Sequence, residues 1–386
     1  MQNKIRNKLG KKDRPVRIKK DLKIKDKKND EGDGKKVKRY RDPLLNTSLK
    51  LYEKANKLQS HDEKFKVVQK LVTLLSGKIN SIIFRHDMSR VVQLIFKYAL
   101  PQHKTKIVNE MLSSIQLIAS RKYSNHLIKS AMIHCDSSIR NLLIKELQKH
   151  TLPILRTKIG VKVLELVYKK YCNNAQRNKF KSSLIGIATV DGSSSLKQQC
   201  QVDKALTSAI MSSTKSNLNS LLQKDCCLKS SIVTSALHDY LHSCAENDKI
   251  EIKEILLPNI IDLVSTKFGS YCALEIMWIC STKEKKSIIK QLQEVCVDLS
   301  LDENGSFFIL SLFDCVDDTV LLYKIILSKL MDNIRKILEN DWGLRIIDYM
   351  FLHHMASNKF SLSDKEILQQ SVNAGNTKKD PNTTSK

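Results

Sequence analysis

Apolar residues recur at three- and four-residue steps through most of this chain. Clear cases are FKVVQKLVTLLSGKINSIIF (65–84), IRNLLIKELQKHTLPILR (139–156) and TVLLYKIILSKLMDNIRKILEN (319–340). That period lays one apolar stripe along an α-helix. Breaks fall at short intervals, at Asp62, Pro101, Asp136, Pro153, Asp248, Thr282 and Asp317, residues suited to N-caps and turns. The pattern predicts helices of about 10–15 residues joined by short turns. With 11 Gly and 6 Pro in 386 residues, a turn-rich all-β protein is excluded.

The helical text also repeats. RHDMSRVVQLIFKYA (85–99), RKYSNHLIKSAMIHC (121–135) and RTKIGVKVLELVYKK (156–170) align at intervals of 36 and 36, counted from Asp87, Tyr123 and Ile159. TKFGSYCALEIMWIC (266–280), ENGSFFILSLFDC (303–315) and NDWGLRIIDYMFL (340–352) continue at 36 and 38, counted from Phe268, Asn304 and Trp342. A weaker copy, CLKSSIVTSALHDYL, starts near Leu228. The 69 residues from Ile159 to Leu228 hold either a degenerate repeat or an insertion around VDGSSSLKQQ (190–199). A fixed period of this size implies stacked helical units, each burying its apolar face against its neighbours.

Charge divides the chain. The net +26 is distributed as +11 over residues 1–42, +18 over 43–181 and −3 over 182–386. Residues 1–42 carry too few apolar side chains to offset chain entropy and read as a disordered basic arm. Its clusters Lys11–Lys28 and Lys35–Arg41 suit nuclear import or phosphate contact. Residues 43–357 read as the repeat domain, with a basic half (43–181) and a near-neutral half (182–357). Residues 358–386 read as a short helix and polar tail. Such a basic excess points to a polyanion, nucleic acid before an anionic membrane. No apolar run approaches the roughly 20 residues of a membrane span, and the basic N-terminus has no apolar core of a secretory signal. The ten Cys, without CxxC spacing, read as reduced thiols in an intracellular compartment.

Period and wording together resemble the Puf (pumilio-homology) repeats. The family's reading window, aromatic-Gly-Asn-Tyr-Val-Val-Gln in type, is matched by Tyr123-Ser-Asn-His-Leu-Ile-Lys129 and Phe268-Gly-Ser-Tyr-Cys-Ala-Leu274. LYEKANKL (51–58), FRHDMSRVVQLIFKYA (84–99), CALEIMWICSTKEKKSIIKQL (272–292) and LFDCVDDTVLLYKIILSKL (312–330) are similar to the divergent Puf-A, or pumilio-homologue-3-like, branch. The resemblance covers residues 44–355 and does not reach the second repeat block found in that branch. It implies a curved, right-handed all-α solenoid of three-helix repeats whose second helices line an RNA-binding face. It further implies a monomeric nuclear and nucleolar protein of large-subunit ribosome biogenesis, with ribosome-assembly proteins as partners.

Typical Puf proteins read one base per repeat with window positions three, four and seven. Here those trios are Ser89/Arg90/Gln93, Asn125/His126/Lys129, Val161/Lys162/Glu165, Ser270/Tyr271/Leu274, Ser306/Phe307/Leu310 and Leu344/Arg345/Asp348. Val161, Leu274, Leu310 and Leu344 have no group to pair with a base edge, so a long sequence code is not expected. Helical spacing instead places His86/Arg90/Gln93/Lys97, Lys122/His126/Lys129/Ile133 and Lys158/Lys162/Glu165/Lys169 on one face each. Arg85, Arg121 and Arg156 lie beside them. Stacked at one period, these form basic columns suited to phosphates rather than bases. The columns turn apolar or acidic in the later repeats, which read as a protein-docking half.

No catalytic constellation, phosphate loop or cofactor fingerprint is present. The Asp314/Asp317/Asp318 cluster reads as helix caps. Cys226–Cys227, His134–Cys135 and His242–Cys244 lack zinc-ligand spacing, so no metal or cofactor is expected. The reading is an RNA-binding protein of low sequence specificity, not an enzyme, acting on structured or double-stranded pre-ribosomal RNA. Two alternatives stand beside it: a Puf regulator of translation reading mRNA tails, and a HEAT- or armadillo-like scaffold binding protein only.

Overall fold

The computed structural model describes residues 42–185, 204–351 and 360–374. The basic arm, the 190–199 segment and the last polar residues lie outside that set. The described residues are helical, with no strand among them, and no helix is long and apolar enough to cross a membrane.

Each unit runs short helix, inner helix, outer helix. One complete example is Ile115–Ser120, Asn125–His134 and Ser137–Lys149. The inner helices are His86–Tyr98, Asn125–His134, Lys158–Tyr171, Ser231–Leu241, Lys267–Ile279, Glu303–Cys315 and Asp341–Phe351. Each packs on the next in that order, and Pro43–Lys57 packs on the first. The apolar stripes predicted from the sequence form the core between layers. Val91, Val92, Ile95 and Phe96, then Leu127, Ile128, Ala131 and Met132, then Val163, Leu164 and Val167 are all buried. No unit contains both sides of its own core, so burial of the stripes requires the stack.

Polar ties repeat at the same period. Lys104 and Lys285, early in their outer helices, donate to His134 O (2.8 Å) and Cys315 O (3.2 Å), each 30 residues ahead. Both carbonyls lie at the end of an inner helix, where the backbone has no intrahelical donor. Four inner helices also share a start. Thr157, Thr266, Asp302 and Asn340 cap the N–H of Gly160, Gly269, Gly305 and Gly343. At each glycine an added Cβ would meet the carbonyl oxygen of the short helix below, at 2.2, 1.9, 2.3 and 2.5 Å respectively.

Among the described residues, the long interval adds no inner helix to the stack. Lys158–Tyr171 packs directly on Ser231–Leu241, with no inner helix between them. Glu165 seals that junction, accepting from Ser231 N (2.8 Å), Ser231 Oγ (2.5 Å) and Ser230 Oγ (3.3 Å). Helices Asn174–Ser182 and Lys204–Leu222 occupy the outer layer instead. Thr214 and Asn217 tie the second of these to Ile185 O and Leu184 O, both at 3.0 Å.

At the other end, helix Leu362–Ala374 folds back across inner helices Lys267–Ile279 and Glu303–Cys315. Tyr271 Oη donates to Asp364 (2.5 Å), and Trp278 Nε1 to Ser371 Oγ (3.1 Å).

Candidate nucleic-acid interface

Of the residues expected to meet RNA, Arg85, His86, Arg90, Lys97, Arg121, Lys122, His126, Arg156, Lys158, Lys162 and Lys169 are exposed. Lys129 and Gln93 are half-buried, and Ser89 and Asn125 are buried. The charged set is therefore at the surface, while the amide and hydroxyl readers are mostly inside.

The first two repeats are in the predicted register. The His86 ring meets Tyr123 edge-on with centroids 5.0 Å apart, and the Arg121 guanidinium lies 4.7 Å over the Phe84 ring. Partial burial, with Lys129 and His86 nearby, holds the His126 imidazole below its ordinary range. His126 is consequently neutral at pH 7 and adds no charge to the column. The second inner helix starts at Asn125, so Lys122 stands in the preceding turn and not on the helix. Asn125 Nδ2 holds that turn by donating to Arg121 O (2.9 Å) and Lys122 O (2.7 Å).

The third repeat opens a groove of about 640 Å³, where Lys158, Lys162, Lys169, Lys170 and Lys229 surround Glu165 and Asp225. Val161, Leu166 and Cys226 line it together with the lysine stems, an arrangement that leaves ammonium groups free to reach the rim. Lys169 pairs with Glu165 (3.0 Å) and Lys229 with Asp262 (3.0 Å). Among the described residues, Lys122, Lys129, Lys158, Lys162 and Lys170 make no ion pair. Ammonium groups outside ion pairs suit phosphate contact, because binding releases counterions without first breaking a salt bridge. Lys170 and Lys229 escaped the sequence reading. Lys170 is the second of a Lys-Lys pair, and Lys229 arrives from beyond the long interval.

The base-reading positions are used differently. Ser89 Oγ donates to Tyr123 O (2.9 Å) and accepts from Gln93 Nε2 (3.2 Å). Ser270 Oγ donates to Asn304 O (3.0 Å), again 34 residues ahead. Window position three thus ties the first inner helix to the second and the fifth to the sixth. Arg345, only 4% exposed, donates to Glu303 O (2.8 Å) and Ser306 Oγ (2.9 Å). Glu165 is consumed at the junction already described. Tyr271 and Phe307 are buried beneath or beside the C-terminal helix. Ser89 and Asn125 are thus buried and bonded within the stack, and Gln93 is half-buried with its amide on Ser89.

Ser89→Ala tests this directly. RNA affinity should stay within about twofold while stability falls by about 1–3 kcal/mol, the cost of leaving a buried partner unsatisfied. Filter binding and denaturant melts on the same preparation read both. A tenfold affinity loss without a stability change would restore Ser89 to base reading.

In the acidic cluster, Asp318 accepts from Leu321 N (2.9 Å) as a helix cap. It also pairs with Lys286 (2.9 Å). Asp314 accepts from the Tyr349 hydroxyl. Cys135 and Cys227 are buried among apolar side chains, and burial pushes the Cys135 thiol up to about 11.

Comparison with known proteins agrees with this geometry. The model of the Pumilio-family RNA binding repeat matches residues 89–112, 122–148 and 295–321. Over those stretches the chain resembles the Puf repeat. It is similar to Pumilio domain-containing protein 12 of Caenorhabditis elegans, at 27% identity over 292 residues, covering 75% of this chain and 38% of the relative. It is also similar to human Pumilio homolog 3, at 23% identity over 293 residues, covering 75% and 45%. The chain thus spans less than half the length of these relatives. Among solved structures, human Puf-A superposes with a TM-score of 0.79 at 22% identity, covering 88% of this chain and 67% of that one. Human Puf-A in complex with DNA gives 0.80 at 22%, covering 89% and 69%. These superpositions establish the fold, an all-α Puf solenoid.

Proposed function

We propose that this chain binds structured or double-stranded RNA with low sequence specificity, through phosphate contacts on the basic face of its first three repeats. The observation that carries the reading is that Lys122, Lys158, Lys162 and Lys170 are exposed and Lys129 half-exposed in the second and third repeats, all without an ion pair. Low specificity follows from the other half of the same geometry. Side chains that would read bases hold neighbouring repeats together, and the C-terminal helix lies over Tyr271.

Large-subunit pre-ribosomal RNA in the nucleolus is the proposed target. The similarity to Pumilio homolog 3 and Puf-A, together with the basic composition, supports it. Crosslinking the tagged full chain to RNA in cells and mapping the bound transcripts tests this part. Enrichment of messenger RNA tails over ribosomal precursors would overturn it.

Specificity is tested by competition among scrambled single-stranded and duplex RNAs of equal length. Affinities should differ little within each structural class, because phosphates are common to all sequences. A preference of about a hundredfold for one short sequence would sink the phosphate reading.

A further inference from the structure

Away from the basic face, two histidines and a glutamate converge between the fourth and fifth inner helices. His238 belongs to Ser231–Leu241, and His242 ends that helix one turn later. Glu275 faces both from Lys267–Ile279. The two imidazole Nε2 atoms are 3.2 Å apart. Glu275 Oε1 lies 3.6 Å from His238 Nε2 and 3.5 Å from His242 Nε2. The three atoms form a nearly equilateral triangle.

Its size is informative. A tetrahedral zinc with bonds of about 2.0–2.1 Å spaces its ligand atoms about 3.3–3.4 Å apart. The spacing of the three atoms therefore matches that of three ligands around one such ion. A simple carboxylate–imidazolium pair needs one histidine, whereas here both rings turn the same nitrogen toward one oxygen.

The surroundings also fit. The side chains of His238 and Glu275 are only 13% and 11% exposed, while His242 is 35% exposed. Solvent thus reaches the cluster on the His242 side. Asp239 Oδ1 stands 4.0 Å from His238 Nδ1 and is itself held by Lys181 at 2.6 Å. A carboxylate behind a liganding imidazole orients the ring and raises its basicity. Phe268 and Tyr271 lie against the His238 ring, at centroid distances of 5.2 and 5.7 Å. Cys244 points elsewhere, its Sγ toward Leu241 O.

We propose that His238, His242 and Glu275 form a divalent metal site of zinc type that staples the fourth inner helix to the fifth. Two imidazoles and one carboxylate favour zinc over magnesium or calcium, which prefer oxygen ligands throughout. Three protein ligands leave water as the fourth, and the function is mechanical: the ion replaces a packing contact across one repeat junction. The site shares no residue with the lysine face.

The test uses the full chain, reduced and stripped of metal with a chelator. Calorimetric titration with zinc should show one equivalent bound, and magnesium should show none. Cobalt(II) should give the visible ligand-field bands of a tetrahedral site without thiolate charge transfer in the near ultraviolet. Glu275→Gln and His242→Ala should each weaken zinc binding at least about tenfold, since even loss of an outer-shell partner costs that much. Zinc should raise the melting temperature of the parent chain and leave both variants unmoved. Circular dichroism checks that each variant is folded, and His242, at the surface, provides a substitution that packing tolerates. Absence of saturable zinc binding would overturn the proposal. Thiolate charge transfer with undiminished binding in both variants would also overturn it, by moving the metal to the cysteines.

Discussion

Replacing Lys122, Lys129, Lys158 and Lys162 together by Gln should flatten the plot of log affinity against log salt by about two to four units. Each lysine that meets a phosphate contributes about 0.9 to that slope on duplex nucleic acid and about 0.7 on single strands. Extrapolated to 0.1 M salt, a loss of two units alone corresponds to about a hundredfold in affinity. The loss should be similar for every RNA tested. Gln keeps much of the stem and a comparable helix propensity, and none of the four is in an ion pair that folding would miss. The choice of control follows from the structure. Lys285 is buried on Cys315 O and Lys286 pairs with Asp318, so neither is a neutral comparison. Lys283, Lys290, Lys324 and Lys336 are exposed in the second half; their replacement should change the slope little. Equal losses from both sets would make net charge alone the cause. An unchanged slope in the first set would remove RNA from the basic face.

The largest expected stability effect comes from one methyl group. In Gly269→Ala the new Cβ would be built 1.9 Å from Leu263 O, a backbone atom that cannot rotate away. Relief requires shifting the short helix below or the inner helix above, at the junction that also carries Thr266 and Ser270. Overpacking of this kind costs about 1–3 kcal/mol, and more where backbone must move; about 3 kcal/mol is expected here. Gly77→Ala is the comparison. Gly77 has φ +79° and open space where the Cβ would go, so only the left-handed backbone penalty of about 1–2 kcal/mol applies. Denaturant melts of the two variants should rank Gly269→Ala as the more damaging. The reverse order would mean that the short helices yield easily and that the glycines are not packing requirements.

Much of the architecture was legible in the sequence because it is local. A 36-residue period with apolar residues at helical spacing leaves stacked α-helical units as the way to bury every stripe. The ends of the inner helices accordingly fall within four residues of the ends of the repeated phrases, even for the weak copy near Leu228. Charge segregation was legible for the same reason: lysines cannot be buried cheaply, so a basic segment of the array presents a basic surface.

Direction and pairing were decided only by the tertiary structure. Ser89, Asn125 and Arg345 have the chemistry to read bases, and nothing in their spacing says whether that chemistry turns outward. Their partners are carbonyls and hydroxyls 3 to 42 residues away, and an unpaired buried polar group costs more than an RNA contact returns. The 69-residue interval allowed a further inner helix between Lys158–Tyr171 and Ser231–Leu241 until Glu165 was seen capping Ser231. His238 and His242 share a helical face by spacing, but Glu275 reaches them from another repeat, across 37 and 33 residues. Helix Leu362–Ala374 was readable as a helix, yet its place over Tyr271 depends on contacts far apart in the chain, among them Tyr271 with Asp364 and Trp278 with Ser371, each 93 residues apart. Period and polarity determine which residues form the stack and its surface. Which polar atoms meet inside it depends on distances between chain segments, and these exist only once the apolar faces have docked.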